Sequence, residues 1–380
     1  MASRYEVIVL GVGAMGSATL YHLARRGRRV LGLERLDIPH EMGSSHGVTR
    51  VIRLAYFEHP SYVGLLRRAY ELWHELEHRA GEQLLYITGS IDAGPPDSPN
   101  FVGSKASCEE HGLPHEVLSS AELSRRFPGY RLPDDAMAVF QPDGGFLLSE
   151  RSIVAHVTQA QACGAEVHAR EEVIEWSAIP GGVRVTTSRD TYEADRLVIS
   201  AGAWVGQVVE PLQELAVPER QVLGWFQPLR IDLFQPGRLP VFNVTVPEGR
   251  YYGTPIFGIP GFKVGCYHHH RETVDPSTID RDCHSGDEAT LRTFVTRYFP
   301  EAAGPTMGMK VCMFTNTSDE HFILDVHPDH PQVLIASPCS GHGFKFSSVV
   351  GEIMADLAEG GQTRHPIDMF RLSRFDVGRA

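Results

Sequence analysis

The chain has 380 residues, which is more than one hydrophobic core usually supports, so two domains are expected. Its formal net charge of −12, without a basic run, argues against nucleic-acid binding, and 42% hydrophobic with 22% charged residues is typical of a soluble globular protein. No stretch approaches the roughly 20 apolar residues that cross a bilayer, so no membrane association is expected.

The first recognisable feature is a glycine-rich turn near the start of the chain. An apolar segment, 5–10, runs into Gly11-Val-Gly13-Ala-Met-Gly16, and a segment without helix breakers follows. Gly11 is expected to allow the tight turn, Gly13 to let backbone N–H groups approach a pyrophosphate, and Gly16 to let the helix pack closely on the strand. The pyrophosphate would lie at the helix N-terminus, where free N–H groups favour an anion.

An acidic residue completes this pattern. A second apolar segment, 29–33, ends at Glu34, about 20 residues after the turn. A carboxylate at this distance suits a pair of ribose hydroxyls and would repel a 2′-phosphate. The sequence therefore predicts a dinucleotide site, whereas the turn alone would also be compatible with a packing role.

The next segment, 39–53, is small, polar and rich in glycine, and it contains Arg50 and Arg53. Its small residues allow backbone to lie against a ligand. The alternative is a solvated loop with surface arginines.

The pattern of apolar and polar residues then changes several times along the chain. Apolar spacing predicts an amphipathic helix over 60–78, and alternation predicts a strand over 85–92, which Gly94-Pro-Pro ends. Residues 149–220 return to an α/β pattern, and 220–317 is rich in strands. These changes predict domain boundaries near 85, 149 and 220.

A predicted hairpin over 250–265 contains Lys263 within an apolar strand. That lysine is either at a sheet edge pointing to water or buried and facing a pocket, where it would be functional. The run His268-His-His270 follows. Consecutive strand residues alternate faces, so the three imidazoles cannot easily bind one metal ion, and no metal site is expected.

The last third of the chain contains a second segment of the kind that favours anion binding. Small residues in Ser340-Gly341-His342-Gly343-Phe344-Lys345 precede an apolar helix over 349–357. The six cysteines are scattered without a Cys-x-x-Cys pair, so free thiols are expected. The chain begins with a core strand and ends, at 376–380, without a Ser-Lys-Leu signal, so a cytoplasmic protein is expected.

Six segments, in this order, resemble the monomeric sarcosine oxidase family of amine-oxidising flavoproteins. They are GVGAMG with Glu34, GSSHGVTRVIR, YYGTP, FKVG, VCMFTNTSDEHFILD and SGHGFKFSS. The resemblance implies an α/β fold with a glutathione-reductase-type FAD-binding Rossmann domain, built from 1–85, 149–219 and 318–380. It also implies a substrate domain with a mixed or antiparallel sheet, built from 86–148 and 220–317.

The resemblance further implies FAD bound covalently through an 8α-S-cysteinyl link to Cys312. The other residues that it implies at the cofactor are Gly11, Gly13, Ala14, Met15, Gly16, Glu34, Arg35, Ser44, His46, Thr49, Arg50, Val173, Gly202, Gly341, Gly343, Phe344 and Lys345.

The resemblance also implies the catalytic residues. Arg50 would lie near the flavin ring, and Lys263, linked to flavin N5, would activate oxygen. Arg53 and Lys345 would hold the substrate carboxylate, and Tyr252 would lie at the substrate.

Two positions depart from the family pattern. The active-site histidine lies just after the FKVG strand, where a strict count gives Tyr267 and a one-residue shift gives His268. We favour His268. Pro338-Cys339 stand where Gly-Phe is expected, beside the substrate, which bears on specificity.

The implied activity is oxidative demethylation of sarcosine, or of a related secondary amino acid, by oxygen, giving glycine or an amine, formaldehyde and hydrogen peroxide. The expected partners are the small amino acid and oxygen, and a monomer is expected. Alternatives are an oxidase of N-methyltryptophan, pipecolate, proline or glycated amino acids, an FAD amine dehydrogenase that does not use oxygen, and an NAD(H)-dependent enzyme.

Overall fold

The computed structural model describes residues 3–337 and 340–375. The departure at Pro338-Cys339 and the C-terminal segment 376–380 lie outside the described residues. Within the described residues, no helix combines the length and the apolar character needed to span a membrane.

The described part of the chain contains nineteen strands. They are β1 (Ser3–Leu10), β2 (Val30–Leu33), β3 (Thr49–Ile52), β4 (Leu85–Ile87), β5 (Ser90–Gly94), β6 (Glu116–Ser119), β7 (Met137–Gln141), β8 (Gly145–Leu148), β9 (Glu166–His168), β10 (Val173–Ile179), β11 (Gly182–Thr187), β12 (Thr191–Ile199), β13 (Val217–Phe226), β14 (Val241–Val246), β15 (Gly249–Thr254), β16 (Phe262–Cys266), β17 (Thr306–Asn316), β18 (Leu324–Val326) and β19 (Val333–Ala336).

The same residues form eight α-helices. They are α1 (Ala14–Ala24), α2 (Tyr62–Ala80), α3 (Pro99–His111), α4 (Ser120–Arg126), α5 (Ser149–Ala162), α6 (Val205–Val208), α7 (Ser285–Tyr298) and α8 (Ser347–Gly360). Short 3₁₀ turns include Gly202–Trp204 and Phe344–Phe346.

The first large sheet is built around β1. Its strand order is β10-β11-β12-β1-β2-β9, with β19 beside β12 and β18 beside β19. The pairs of β1 with β2 and β12, of β2 with β9, and of β12 with β19 are parallel. Both faces of β1 are buried, since Val7 and Val9 join one core cluster and Ile8 and Leu10 join another.

The second large sheet has the order β17-β13-β16-β15-β14-β5-β7-β6. Its strands are antiparallel, except for the parallel pair of β5 and β14. One face packs on α7, where Phe242, Tyr251, Phe262 and Val264 meet Phe294 in a shared core cluster. The predicted mixed α/β class is therefore confirmed.

One predicted strand is two strands in the structure. The segment 85–92 divides into β4, which joins a three-stranded sheet with β8 and β3, and β5, which joins the second large sheet. Gly89 lies between them with φ of +77°, a left-handed conformation that turns the chain from one sheet into the other. The domain boundaries stay a prediction; β13 of the second large sheet begins at Val217, just before the expected boundary.

Helix α8 packs closely on α1, and Gly351 is the point of contact. A Cβ added at Gly351 would lie 2.5 Å from the carbonyl carbon of Ala18, whereas one added at Gly64, in the first turn of α2, meets no atom within 4 Å. The two helical glycines therefore make a matched pair for alanine substitution.

We expect Gly351→Ala to lower the free energy of unfolding by about 1–3 kcal/mol, because backbone must move to accept the methyl group. Gly64→Ala should raise it by about 0.4–1 kcal/mol, because the unfolded chain loses freedom without a clash. Chemical denaturation of both variants measures the two values. Equal effects of the two substitutions would contradict the close approach of α8 and α1.

Candidate active site

The glycine-rich turn has the geometry that the sequence predicts for each glycine. Gly11 has φ of +88°, and a Cβ there would lie 2.6 Å from the backbone oxygen of Ser200. A Cβ at Gly16 would lie 1.8 Å from the oxygen of Gly11, so only glycine lets α1 start this close to β1. A Cβ at Gly13 would meet nothing within 4 Å, because the backbone there faces open space at the N-terminus of α1.

Glu34 lies at the end of β2 and is 7% exposed. Its two carboxylate oxygens accept hydrogen bonds from the backbone N–H groups of Val12 and Leu36, each at 2.9 Å. These bonds hold the acid beside the glycine-rich turn, where a ribose would lie. The guanidinium of Arg35 packs over Trp204, 4.5 Å from the ring centroid.

A cavity of about 630 Å³ extends from this turn to the second large sheet. Nearly all the predicted cofactor and substrate residues line it, namely Gly11, Gly13, Ala14, Met15, Glu34, Arg35, Ser44, Thr49, Arg50, Arg53, Val173, Gly202, Tyr252, Lys263, Cys312, Gly341, Gly343, Phe344 and Lys345. Residues from opposite ends of the sequence, such as Gly11 and Lys345, therefore line the same cavity.

Two of the predicted cofactor residues, Gly16 and His46, lie behind the lining. His46 is 1% exposed, and neither ring nitrogen has a partner among the described residues. Burial and the nearby charge of Arg50 lower the pKa of His46 to about 3, so the imidazole is neutral. A buried neutral imidazole without a hydrogen-bond partner indicates that a bound ligand completes this part of the site.

Arg50 and Cys312 meet in this cavity. Nη2 of Arg50 donates to the backbone oxygen of Ser44 at 2.8 Å and lies 3.7 Å from Sγ of Cys312. The thiol is buried, at 3% exposure. A fixed positive charge therefore lies beside the sulfur.

Lys263 lies in β16, between β13 and β15, and not at a sheet edge. Its neighbours Phe262 and Val264 point into the core on α7, so the pleat turns Lys263 toward the cavity. Nζ donates to the backbone oxygens of Gly47 and Thr49 at 2.8 and 2.6 Å. Burial, and then the charge of Arg50, lower the pKa of this lysine well below its ordinary 10.5.

Arg53 is 2% exposed and carries a carboxylate on its cavity side. Nη2 donates to both oxygens of Glu58 at 3.0 Å, and Nη1 donates to the backbone oxygen of Ala55 at 2.9 Å. Burial of Glu58 opposes ionisation, but Arg53 outweighs it and, with smaller contributions from neighbouring groups such as Lys345, lowers the pKa of Glu58 to about 2. Glu58 lines the cavity and was not predicted from the sequence.

A second acid lies behind Arg53. Oδ1 of Asp92, fully buried in β5, is 3.6 Å from Nε of Arg53 and accepts a hydrogen bond from Nδ2 of Asn243 at 3.2 Å. Burial raises the pKa of Asp92 to about 6, although Arg53 acts in the opposite direction. Asp92 alternates with apolar residues in a predicted strand, and a polar residue in such a strand is the one signal that could have indicated it.

The remaining predicted substrate residues close the same end of the cavity. Nζ of Lys345 donates to the backbone oxygen of His342 at 2.7 Å and lies 5.2 Å from the ring centroid of Tyr56. Tyr252 is in β15, opposite Asn243 in β14, and burial raises its pKa. The side chains therefore offer two cations and a neutral phenol to a small anionic ligand.

The structure does not support our choice of His268 at the active-site histidine position. Tyr267 lines the cavity and His268 does not. The backbone of His268 turns to φ of +60°, which directs the imidazole away to Glu219 and Glu320, at 3.1 and 2.9 Å. The hydroxyl of Tyr267 donates to the backbone oxygen of Ser340 at 2.7 Å. Of the two candidate positions, the one given by the strict count from Lys263, Tyr267, is the one that faces the cavity, and the match to the active-site histidine stays a prediction.

Of the other two histidines of the run, His269 lies 2.8 Å from a carboxylate oxygen of Asp287 and His270 lies 3.1 Å from the hydroxyl of Thr290. His269, His270 and Asp287 have potential ligand atoms within 4.8 Å of one another. However, Arg220 already donates to both oxygens of Asp287, at 2.9 and 3.0 Å. The expectation that no metal binds here stays a prediction.

With this geometry in hand, comparison with known proteins identifies the family. A family model described as FAD dependent oxidoreductase matches residues 6–357. The chain belongs to this family. It is 42% identical over 380 residues to the monomeric sarcosine oxidase of Streptomyces avermitilis, with 97% of both chains covered. The predicted membership in the monomeric sarcosine oxidase family, and with it an FAD-dependent oxidoreductase, is confirmed.

More distant relatives have related names. The chain is 33% identical over 377 residues to the N-methyl-L-tryptophan oxidase of Yersinia pestis, which covers 98% of this chain and 99% of that protein. The open form of NikD, described as an unusual amino acid oxidase essential for nikkomycin biosynthesis, matches with a TM-score of 0.85 and 27% identity, covering 97% of each chain.

The position of His268 generates a pH prediction. Hydrogen bonds to Glu219, and then to Glu320, raise the pKa of His268 from 6.5 to about 9. A raised pKa in the folded state stabilises the protein fully below pH 6.5, and this stabilisation is lost as the pH rises through 9.

We therefore expect His268→Gln to lower the free energy of unfolding by about 1–2 kcal/mol at pH 6, a value kept small because Glu320 is partly exposed. The difference from wild type should vanish near pH 10. Urea unfolding at the two pH values measures it, with the exposed His74→Gln as control. A difference that does not change with pH would contradict the ion pair.

Proposed function

We propose that this enzyme oxidises sarcosine, or a close secondary amino acid, with FAD and oxygen. For sarcosine, the amino acid, oxygen and water give glycine, formaldehyde and hydrogen peroxide. The observation that carries the proposal is the convergence of Arg53, Tyr252, Lys263 and Cys312 on the cavity that begins at the dinucleotide turn. The full-length similarity to proteins named sarcosine oxidase supports the same substrate class.

The residues at the cavity fit FAD. The open space at Gly13 accepts a pyrophosphate, Glu34 suits the ribose, and the unpartnered ring of His46 accepts a further contact. FAD supplies the redox chemistry, because it accepts two electrons from the C–N unit and returns them to oxygen. We propose that Sγ of Cys312 holds it covalently, since this thiol lines the cavity beside the guanidinium of Arg50.

The carboxylate end is assigned to Arg53 and Lys345. A planar guanidinium recognises a carboxylate through two parallel hydrogen bonds. In the structure Glu58 occupies the Nη2 position of Arg53, so the substrate carboxylate takes this place as Glu58 withdraws. Asp92 lies deeper, at 0% exposure, and remains as the counter-ion.

Positive charge also acts on the substrate amine. An amine gives up a hydride or an electron as the neutral base, and neighbouring cations lower the pKa of an ammonium group. Arg53, Lys345, Arg50 and Lys263 line the cavity and favour this form. The imine that leaves is then hydrolysed by water.

Lys263 is assigned to the oxygen step. A fixed cation stabilises negative charge that develops on oxygen as it is reduced. Its Nζ is held by Gly47 and Thr49 and requires no rearrangement to act. We also propose that the enzyme is a cytoplasmic monomer and that its domains divide as predicted from the sequence.

Covalent attachment is tested by acid precipitation of the purified protein. We expect the pellet to stay yellow and a peptide that contains Cys312 to carry the mass of the flavin. Cys312→Ser should release its FAD under acid and lose most of its activity. Cys266→Ser, another buried cysteine, is the control and should keep the colour in the pellet. A colourless wild-type pellet would exclude the bond.

The function itself is tested by separating the two half-reactions. We expect sarcosine to bleach the flavin without oxygen, and oxygenated buffer to restore the colour with release of peroxide. N-methyltryptophan, pipecolate, proline and glycated amino acids, run in parallel, rank the substrate class. Bleaching without peroxide would indicate a dehydrogenase, and a colourless protein would exclude the flavin enzyme altogether.

The same experiment on Lys263→Met assigns the lysine. Reduction should stay within about tenfold of wild type, and reoxidation should fall by about a thousandfold, in line with an electrostatic stabiliser worth roughly 2.7–4 kcal/mol. Wild-type reoxidation should also slow as the pH rises, with a midpoint below 10.5, because the lowered pKa of Lys263 releases its proton early. A variant slow in reduction but normal in reoxidation would place Lys263 at the substrate.

A further inference from the structure

Arg250 lies beside the substrate end of the cavity, against the ring of Tyr267, although its own side chain is not part of the cavity lining. It is in β15, two residues before Tyr252, so the pleat places both side chains on the same face of the sheet. Its guanidinium carbon is 3.7 Å from the ring centroid of Tyr267, which lines the cavity. It is also 5.1 Å from the ring of Phe57, the neighbour of Glu58 in the sequence.

The rings and arginines form an alternating stack. The order is Arg53, Phe57, Arg250 and Tyr267, with cation-to-ring distances of 4.4, 5.1 and 3.7 Å. Stacking on two aromatic rings fixes the plane of the Arg250 guanidinium and leaves its N–H groups directed away from the rings. The side chain is thus held in place before any ligand arrives.

Arg250 differs from the other arginines in its lack of an oxygen partner. Across residues 3–337 and 340–375, every other buried or half-buried arginine donates to an oxygen or pairs with a carboxylate, whereas the half-buried Arg250 does neither. The other arginines of the described chain that lack such partners are exposed, as Arg271 is. A half-buried guanidinium with five unused donors indicates an anion that arrives with a ligand.

The position of Arg250 relative to Arg53 limits the size of that ligand. The guanidinium carbons of Arg53 and Arg250 lie 4.4 and 5.1 Å from the centroid of the same Phe57 ring. The two carbons are therefore at most about 9.5 Å apart. An amino acid whose α-carboxylate meets Arg53 can therefore present a side-chain carboxylate to Arg250 through a chain of aspartate or glutamate length.

We propose that Arg250 binds a second carboxylate of the substrate, so that N-alkylated dicarboxylic amino acids such as N-methylaspartate and N-methylglutamate are substrates of this site. The inference rests on the proposed function and narrows its substrate class. The chemistry of the reacting C–N unit is unchanged; only the group beyond the α carbon differs.

The charges near Arg250 suit this assignment. Glu58 and Glu320 lie near enough to Arg250 that its charge contributes to the lowered pKa of each, after Arg53 for Glu58 and after His268 for Glu320. Each of these acids already has its own cation, Glu58 in Arg53 and Glu320 in His268. The field of Arg250 is therefore still available to an incoming anion.

The first measurement is binding without turnover. Glutarate and butyrate have similar chain lengths and differ in one carboxylate, and calorimetry on the FAD-loaded enzyme gives both affinities. We expect glutarate to bind at least tenfold more tightly than butyrate. Arg250→Gln should bring this ratio close to one, because it removes the charge-assisted contact that only glutarate makes. Arg250→Lys, which keeps the charge, should recover part of it.

The second measurement is the selectivity of turnover. Peroxide release from N-methyl-L-glutamate and from its neutral isostere N-methyl-L-glutamine gives a ratio of kcat/KM that should favour the glutamate. Arg250→Gln should lower that ratio to near one, while Arg271→Gln, which removes an exposed arginine of the following turn, should leave it unchanged.

The outcomes separate this inference from the function on which it rests. If Arg250→Gln weakens the binding of butyrate and of glutarate equally, the arginine acts only on Glu58 or on the overall electrostatic potential of the cavity. The proposal of a second carboxylate site is then wrong. If glutarate selectivity depends on Arg250 but no N-methyl amino acid is oxidised, the site stands and the proposed function fails. Thermal melting and flavin content of each variant show whether a loss reflects misfolding.

Discussion

Buried positive charge is the constraint on which the candidate site depends. Arg53, Lys263 and Lys345 are only 2%, 3% and 6% exposed. A cation removed from water loses several kcal/mol of solvation unless oxygens replace the water. Oxygens lie close to each of the three: the carboxylate of Glu58 at Arg53, the backbone carbonyls of Gly47 and Thr49 at Lys263, and the carbonyl of His342 at Lys345. The need to place an oxygen next to each buried cation therefore constrains the shape of the cavity wall.

The second sheet provides the rigid support for that charge. Along β16 the apolar Phe262 and Val264 enter the core on α7 while Lys263 faces the cavity, and along β15 Tyr251 stacks on Phe294 while Tyr252 faces the cavity. Because the pleat has a period of two, a shift of one residue would exchange the core side chains with the functional ones. The packing on α7 thus selects the register that places the functional groups.

The parts of the site that could be predicted from sequence are those with local causes. The glycine turn and Glu34 follow from backbone geometry over a few residues, and all are where the pattern places them. The cavity-facing position of Lys263 remained one of two alternatives, because strand burial depends on which strands pair beside it. The structure resolves the choice, since β16 is flanked on both sides.

The parts that were missed depend on distant partners. His268 turns away from the cavity because Glu219 and Glu320, about 50 residues away on either side, hold its ring. Asp92 matters because β5 pairs in parallel with β14, which brings Asn243 to its carboxylate, and no local pattern indicates that pairing. The prediction of a single strand over 85–92 was wrong, because the left-handed backbone at Gly89 directs the two halves of the segment into different sheets.

Charge balance at Arg53 links these findings to how the site works. The arginine has two acids, of which Asp92 is fully buried and bonded to Asn243, whereas Glu58 lies on the cavity wall. In the proposed binding mode a substrate carboxylate replaces Glu58, and the number of charges on the guanidinium stays the same. The free energy of binding is then the difference between two similar ion pairs, which is far smaller than the energy of either pair alone. Under this proposal a cavity lined with cations can release its ligand, and affinity is set by the contacts that Glu58 does not already make, at the amine and at Arg250.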